Sequence, residues 1–239
     1  VHPYFRKIQE LLQSVLEKEQ PKLELAAQII AERIEKGGIL QLFGCGHSYL
    51  LAQEAFYRAG GLVPVRPITI GPLTLQAGAL TSSKNEKDPT IIQRYRHCFD
   101  FQENDSLLVI STSGRNCAPI DAAILARSSD IFVMSLQSLN YRNYESKHSG
   151  GKRLEDVVNL VVDTHIPVGD GILNHQGLPY APASTVIGST LLNGLFSLVI
   201  EKVFKKTGTF PVFESANISN SETHNTEMIT KYQHRINFE

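Results

Sequence analysis

The stretch Val109-Ile110-Ser111-Thr112-Ser113-Gly114-Arg115-Asn116-Cys117-Ala118 decides how the chain is read. The apolar run Leu107 to Ile110 predicts a buried strand. It stops at Ser111, and the apolar run Ile120 to Ala126 predicts a helix, with Asn116 at its N-cap and Pro119 in its first turn. A hydroxyl-rich turn therefore joins a strand end to a helix start. Free backbone N–H groups and the positive end of the helix dipole favour an anion there. The hydroxyls of Ser111, Thr112 and Ser113 and the amide of Asn116 add neutral donors. Gly114 lets the backbone turn tightly and come close to a ligand. The same residue types also build ordinary strand-to-helix turns, so the weight falls on what else the chain holds.

A second turn of this kind lies upstream. Ile39 to Phe43 predicts a strand that runs into Gly44-Cys45-Gly46-His47-Ser48 and then into the helical pattern Tyr49 to Ala59. Ser48 can cap that helix or bind a ligand oxygen. The third glycine of a dinucleotide fingerprint is missing, and no acidic residue follows about 20 positions on. The Gly-Lys-Ser/Thr end of a P-loop is missing too. A nucleotide is disfavoured; two turns that offer hydroxyls rather than lysines suit one small phosphate.

The pair F-G-C-G-H-S-Y and I-S-T-S-G-R-N resembles the paired motifs of the SIS (sugar isomerase) domain family, over about residues 35 to 205. The Ser-x-Ser-Gly-x-Asn turn is the more specific half. The resemblance implies a sugar-phosphate ligand held by Ser48, Ser111, Thr112, Ser113 and Asn116, with Gly46 and His47 beside them. Many members close the second turn with Thr; here Asn116 stands in its place and can still donate. A counterpart of the glutamate that phosphoheptose isomerase carries in its last long helix is absent, since Ser184 to Asn193 holds no carboxylate. These residues also show no pattern for the DNA-binding helices of SIS regulators or the glutamine-hydrolysing domain of the amino-sugar synthase, so neither is expected. A little-characterised stand-alone SIS family fits these departures.

The 239 residues carry a net charge of -1, which offers no electrostatic case for nucleic acid or an acidic membrane surface. The three cysteines, Cys45, Cys98 and Cys117, show no C-x-x-C and no zinc spacing, so neither metal nor cofactor is expected and a reducing cytoplasm fits. Cys45 and Cys117 flank the turns and read as small apolar fillers. The longest apolar candidate for a membrane span, near Val186 to Phe204, is interrupted by Ser, Thr, Asn, Glu and Lys.

Apolar residues at three-and-four spacing predict helices over Tyr4 to Glu19 and Lys22 to Lys36, broken at Pro21 and ended by Gly37-Gly38. Leu62 to Ile68, with two prolines, predicts an edge strand. Gly71 to Gln102 is a long irregular excursion, of the kind that is often functional, with a helix near Ile91 to Phe99. Strands follow at Ile131 to Ser135 and Val157 to Val162. About five strands alternating with helices predict a three-layer α/β fold around a parallel sheet. The resemblance adds the flavodoxin-like order 2-1-3-4-5, which would make the two turn-bearing strands neighbours. His165 to Pro182 reads as a Gly- and Pro-rich loop, and Ser184 to Lys206 as a long, mostly buried helix. The expected organisation is one domain over 1–239, with a helical extension over about 1–36 and an ordered tail over about 207–239. A homodimer or higher homo-oligomer packed through helices is expected from the resemblance.

Moving a proton between C1 and C2 of a sugar phosphate needs a base and an acid beside the neutral turns. Glu54, six residues after Ser48, is one candidate and equally fits an exposed helix carboxylate. His224, in the tail run Glu-Thr-His-Asn, is a second, on the expectation that the tail docks over a pocket mouth, its own or a partner's. His47 sits in the first turn; His165 and His175 are weaker loop candidates. Three functions remain open: an aldose–ketose isomerase, a non-catalytic phosphosugar sensor, and an etherase or deaminase on amino-sugar phosphates.

Overall fold

The apolar runs that precede the polar turns become strands of one sheet in the computed structural model, which describes residues 1–217 and 221–239. The strands are β1 (Leu40–Gly44), β2 (Val65–Pro67), β3 (Ser106–Ile110), β4 (Phe132–Gln137) and β5 (Leu160–Asp163). All pair parallel in the order β2-β1-β3-β4-β5. The Pro-bearing β2 lies at an edge, where a missing N–H costs no ladder bond. Alternate residues of the central strands feed two cores. Leu40, Leu42, Leu108, Ile110, Met134 and Leu136 face α1 (Pro3–Glu35), α2 (His47–Glu54) and α6 (Ser184–Thr207). Leu107, Val109 and Val133 face the other way, toward α4 (Ile91–Arg94) and α5 (Cys117–Arg127). Burial on both faces is what the near-continuous apolar strands require.

The expected break at Pro21 does not occur: α1 runs unbroken through it. Both halves bury one stripe, Ile8 and Val15 before the proline and Leu23, Ala26, Ala27 and Ile30 after it, in the core shared with α6. Packing of this length outweighs one lost backbone bond. Helix α6 is long and apolar enough for a membrane span by composition. Here Ile187, Leu191, Leu192, Leu195, Phe196 and Val199 instead fill the core against α1 and the sheet. Three boundaries also move. Helix α2 stops at Glu54, short of Ala59, and Tyr57 takes a positive φ of 47°. The helix expected near Ile91 to Phe99 is the single turn of α4 followed by a 3-10 turn at Arg96–Cys98. The expected loop His165 to Pro182 contains an antiparallel hairpin, β6 (Gly171–His175) with β7 (Leu178–Pro182).

Part of the expected tail, residues 218–220, lies outside the described residues; the described part docks at the far end of the sheet, not over the cavity. Phe213 and the α7 (Ser221–Tyr232) residues Met228 and Tyr232 pack with Ile236 against Ile39 and Val63, which precede β1 and β2. Arg235 donates to the buried carboxylate of Asp105 at 2.7 Å, and the same carboxylate accepts the Ile39 and Gln102 N–H groups and the Gln41 amide. Asp105 precedes β3, so this network closes the N-terminal end of the strands.

At the opposite end, Glu19 pins α1 to the exit of β5. Its carboxylate accepts the Asp163 N–H at 3.0 Å, pairs with Lys22 at 2.8 Å and meets His165 Nε2 at 3.1 Å. Burial pushes the Glu19 carboxyl up, but Lys22, the Asp163 N–H and His165 together hold it below its usual value. A carboxyl lowered in the folded state adds stability above its unfolded pKa and loses it as pH falls through the folded one. Glu19→Ala leaves the Asp163 N–H without its acceptor and should cost about 1–3 kcal/mol at neutral pH. Urea unfolding should show that penalty shrinking as pH falls below the ordinary value of 4.5 and through the lowered folded one; a pH-independent penalty would contradict the assignment.

Candidate functional site

The register of β1 on β3 pairs Gly44 with Ile110, so both polar turns leave the sheet side by side at the C-terminal edge. A Cβ on Gly44 would lie 2.7 Å from the Ser48 backbone, which explains why glycine stands where α2 folds back over the strand end. Gly46 takes φ +54° and donates its N–H to the Leu73 carbonyl at 2.8 Å. It also occupies the cap position of α2, so Ser48 lies in the first helical turn and its hydroxyl makes no cap bond.

The second turn is built to present donors. The Thr112 carbonyl accepts the Ser138 N–H, the Gly114 carbonyl accepts Leu154 N–H, and the Arg115 carbonyl accepts Lys147 N–H. The Ser113 carbonyl accepts from the Arg153 guanidinium at 3.0 Å. In a trans peptide the N–H points opposite to the C=O. Drawing these carbonyls outward therefore turns the N–H groups of Ser113, Arg115 and Asn116 to the other side. Among the described residues none of those three meets an acceptor. The Gly114 N–H reaches Ser111 Oγ at 3.3 Å, which leaves the Ser111 hydroxyl proton for another acceptor. Asn116 caps α5 by position alone; its side chain makes no cap bond, and its Oδ1 is buried with no partner among the described residues.

Both turns line one cavity of about 300 Å³. Its third wall comes from the irregular excursion: Leu75, Ala79, Ser82 and Ser83 of the segment leading into and along α3 (Ala79–Asn85), and Glu86 just after it. Ser82 Oγ donates to the same Leu73 carbonyl that holds Gly46, and the Glu86 carbonyl accepts Ala118 N–H at 3.0 Å. The excursion is thus tied to each turn separately. Burial pushes the half-buried Glu86 carboxyl above its usual value, partly offset by the Asn116 amide, Lys87 and Lys147. Cys45 also lines the cavity, but burial, reinforced by Glu86, pushes its thiol well up, away from nucleophilic use.

Gly46, His47, Ser48, Ser111, Thr112, Ser113 and Asn116 therefore meet in one place. Glu54 does not join them. It ends α2 in an ion pair with Arg58, and six residues of helix turn it about 240° from Ser48. His224 does not reach the cavity of its own chain. Its Nε2 bonds the Val212 carbonyl at 2.8 Å, on the segment that bridges to Leu62 at the far end of the sheet. His165 is held between Glu19 and Asp163, and His175 is exposed on the hairpin. Glu86, Ser82 and Ser83 were not legible as site residues. The one signal was the length of the excursion that carries them.

A match to the SIS domain family covers residues 3–138. A UPF0309 protein of Halalkalibacterium halodurans is 45% identical over 236 residues, spanning 98% of this chain and 94% of that protein. A UPF0309 protein in the nagA 3' region of Lysinibacillus sphaericus is 44% identical over 238 residues, spanning 100% of this chain and 98% of its own length. Among solved structures, a phosphoheptose isomerase from Francisella tularensis superposes with TM-score 0.56 at 18% identity, over 82% of this chain and 94% of that one. The Vibrio vulnificus NanR protein, complexed with ManNAc-6P, superposes with TM-score 0.53 at 17% identity, over 95% of this chain and 67% of that one. These two likenesses are of fold.

Ser113 supplies the turn with both a hydroxyl and an inward N–H. Ser113→Ala removes only the hydroxyl and should weaken binding of a sugar phosphate by about 1–3 kcal/mol, the scale of a charge-assisted donor. The melting temperature without ligand should barely move. Calorimetry showing unchanged affinity would place the anion elsewhere.

Proposed function

Because the chain belongs to the SIS domain family, we propose that it binds a sugar phosphate or amino-sugar phosphate between its two polar turns and isomerises it by proton transfer. The phosphate lies on the hydroxyls of Ser48, Ser111, Thr112 and Ser113 and on the inward N–H groups at the start of α5, where the helix dipole adds to the attraction. The observation that carries the reading is a single cavity that holds both this donor nest and a carboxylate, Glu86, raised by burial. A carboxylate at an ordinary pKa is a weak base at neutral pH; raising it brings it closer to the pH at which it must accept a proton.

In this reading Glu86 takes the C2 proton of the aldose and returns it to C1 through an enediol. His47, at the rim, moves the hydroxyl proton. Glu86 thereby replaces Glu54 and His224 as the base supplied within the chain. A homodimer is part of the proposal. Leu80 is 89% exposed beside the cavity-lining Ala79 and Ser82, and Leu50 is exposed beside Ser48. A second copy covering them would dry the pocket and bring groups of its own, among which His224 remains a proposal. The NanR likeness, with its amino-sugar phosphate, supports the ligand class and motivates a second reading, a sensor without turnover.

The two readings separate on Glu86. For an isomerase, Glu86→Gln should lower turnover by roughly 10²–10⁴-fold while leaving phosphosugar affinity near that of the native protein. The base must be ionised to act, so kcat/KM should fall as pH drops through the Glu86 pKa, with the acid limb above the ordinary value of 4.5. Proton exchange at C2, followed by NMR over a panel of hexose, heptose and amino-sugar phosphates, reads both. Binding without exchange by the native protein selects the sensor.

A further inference from the structure

We propose that Arg153 is a positioning residue that sets the donor face of the second turn from behind. The proposal rests on the phosphate-binding reading and names the device that maintains it. Arg153 lies outside the cavity lining, with only 12% of its side chain exposed. Its guanidinium bonds three separate segments. NH2 donates to the Ser113 carbonyl at 3.0 Å, NH1 to the Tyr144 carbonyl at 2.7 Å, and Nε to Glu155 Oε1 at 2.7 Å. Glu155 is equally buried, and its other oxygen accepts the Gln137 amide at 2.8 Å. Burial alone pushes the Glu155 carboxyl up; Arg153 and Gln137 together with a backbone bond hold it below its usual value, so the pair is charged.

The chain Gln137–Glu155–Arg153–Ser113 runs from the end of β4 to the turn. Gln137 also fills the space behind Gly114, where an added Cβ would meet its Oε1 at 3.0 Å. The other outward carbonyls of the turn are drawn by backbone N–H groups. Among the described residues, the Ser113 carbonyl alone is drawn by a side chain. The same peptide plane carries the Gly114 N–H, which donates to Ser111 Oγ at 3.3 Å and holds that oxygen in place with its proton left for an anion. Arg153 thus helps to place a hydroxyl it does not touch. A lysine keeps the charge but cannot bond three segments from one planar head, so it cannot substitute.

Inorganic phosphate and a phosphosugar retained by the native protein are the probes, titrated by calorimetry into native protein and into Arg153→Lys, Arg153→Met and Glu155→Gln. Both Arg153 variants should weaken phosphate binding about tenfold, as loss of one charge-assisted orienting contact implies. Glu155→Gln, which keeps the Gln137 contact and the packing, should weaken it less but in the same direction. At saturating phosphosugar, C2 proton exchange should stay within about threefold of native, so the loss falls on KM rather than kcat. Circular dichroism and the ligand-free melting temperature identify any variant that has not folded; Glu155→Gln then carries the test. Native phosphate affinity in the folded variants, or full rescue by Arg153→Lys, would overturn the positioning role alone. Native protein that binds neither probe would overturn the phosphate reading and this proposal with it.

Discussion

The parallel pairing of β1 with β3 puts Gly44 level with Ile110, and the rest of the site follows from that register. A slip of one residue would turn the faces of a strand over and separate the two turns in height. The register is held by burial on both sides: Leu40, Leu42, Leu108 and Ile110 face α1 and α6, and Leu107 and Val109 face α5. It is held at its start by Asp105, whose carboxylate ties the N–H of Ile39 before β1 to the chain entering β3. The Arg235 pair that completes this network gives the tail a structural task far from the cavity.

At the other end, the proposed anion site carries hardly any formal charge. The turns contribute hydroxyls, peptide N–H groups and a helix terminus, and the one carboxylate of the cavity stands on the opposing excursion. In the proposed reading, neutral donors would hold a phosphate while leaving the Glu86 carboxyl raised; lysines in the turns would lower it and make it a weaker base. Donor direction is imposed from outside, by the segment from Ser138 to Leu154 that takes up the carbonyls. This division explains why a segment with little regular structure is so densely hydrogen-bonded around His148, Ser146 and Arg153.

Strands and turns were readable because their signals are local: an apolar run, a glycine, a row of hydroxyls. The edge position of β2 was readable from its prolines. Pro21 misled because a long buried stripe outweighs one missing bond, and stripe length is decided by α6, some 170 residues away. The β6–β7 hairpin was hidden by glycines and prolines that suit loops and tight hairpins alike. Glu86 was hidden for a different reason. Its place in the cavity depends on Ser82, Gly46 and Ala118 fastening the excursion to both turns, contacts that leave no periodic trace. Glu54 showed the converse: near Ser48 in sequence, but carried round the helix to Arg58.

The central claim is that both turns hold one phosphate. A crystal of the native protein soaked in a mixture of hexose, heptose and amino-sugar phosphates tests it most directly. The account predicts a retained sugar phosphate whose phosphate oxygens lie within hydrogen-bond distance of Ser48 Oγ and of Ser113 Oγ and N–H, with its sugar carbons facing Glu86. A phosphate bound to one turn alone, or a sugar lodged away from Glu86, would contradict it.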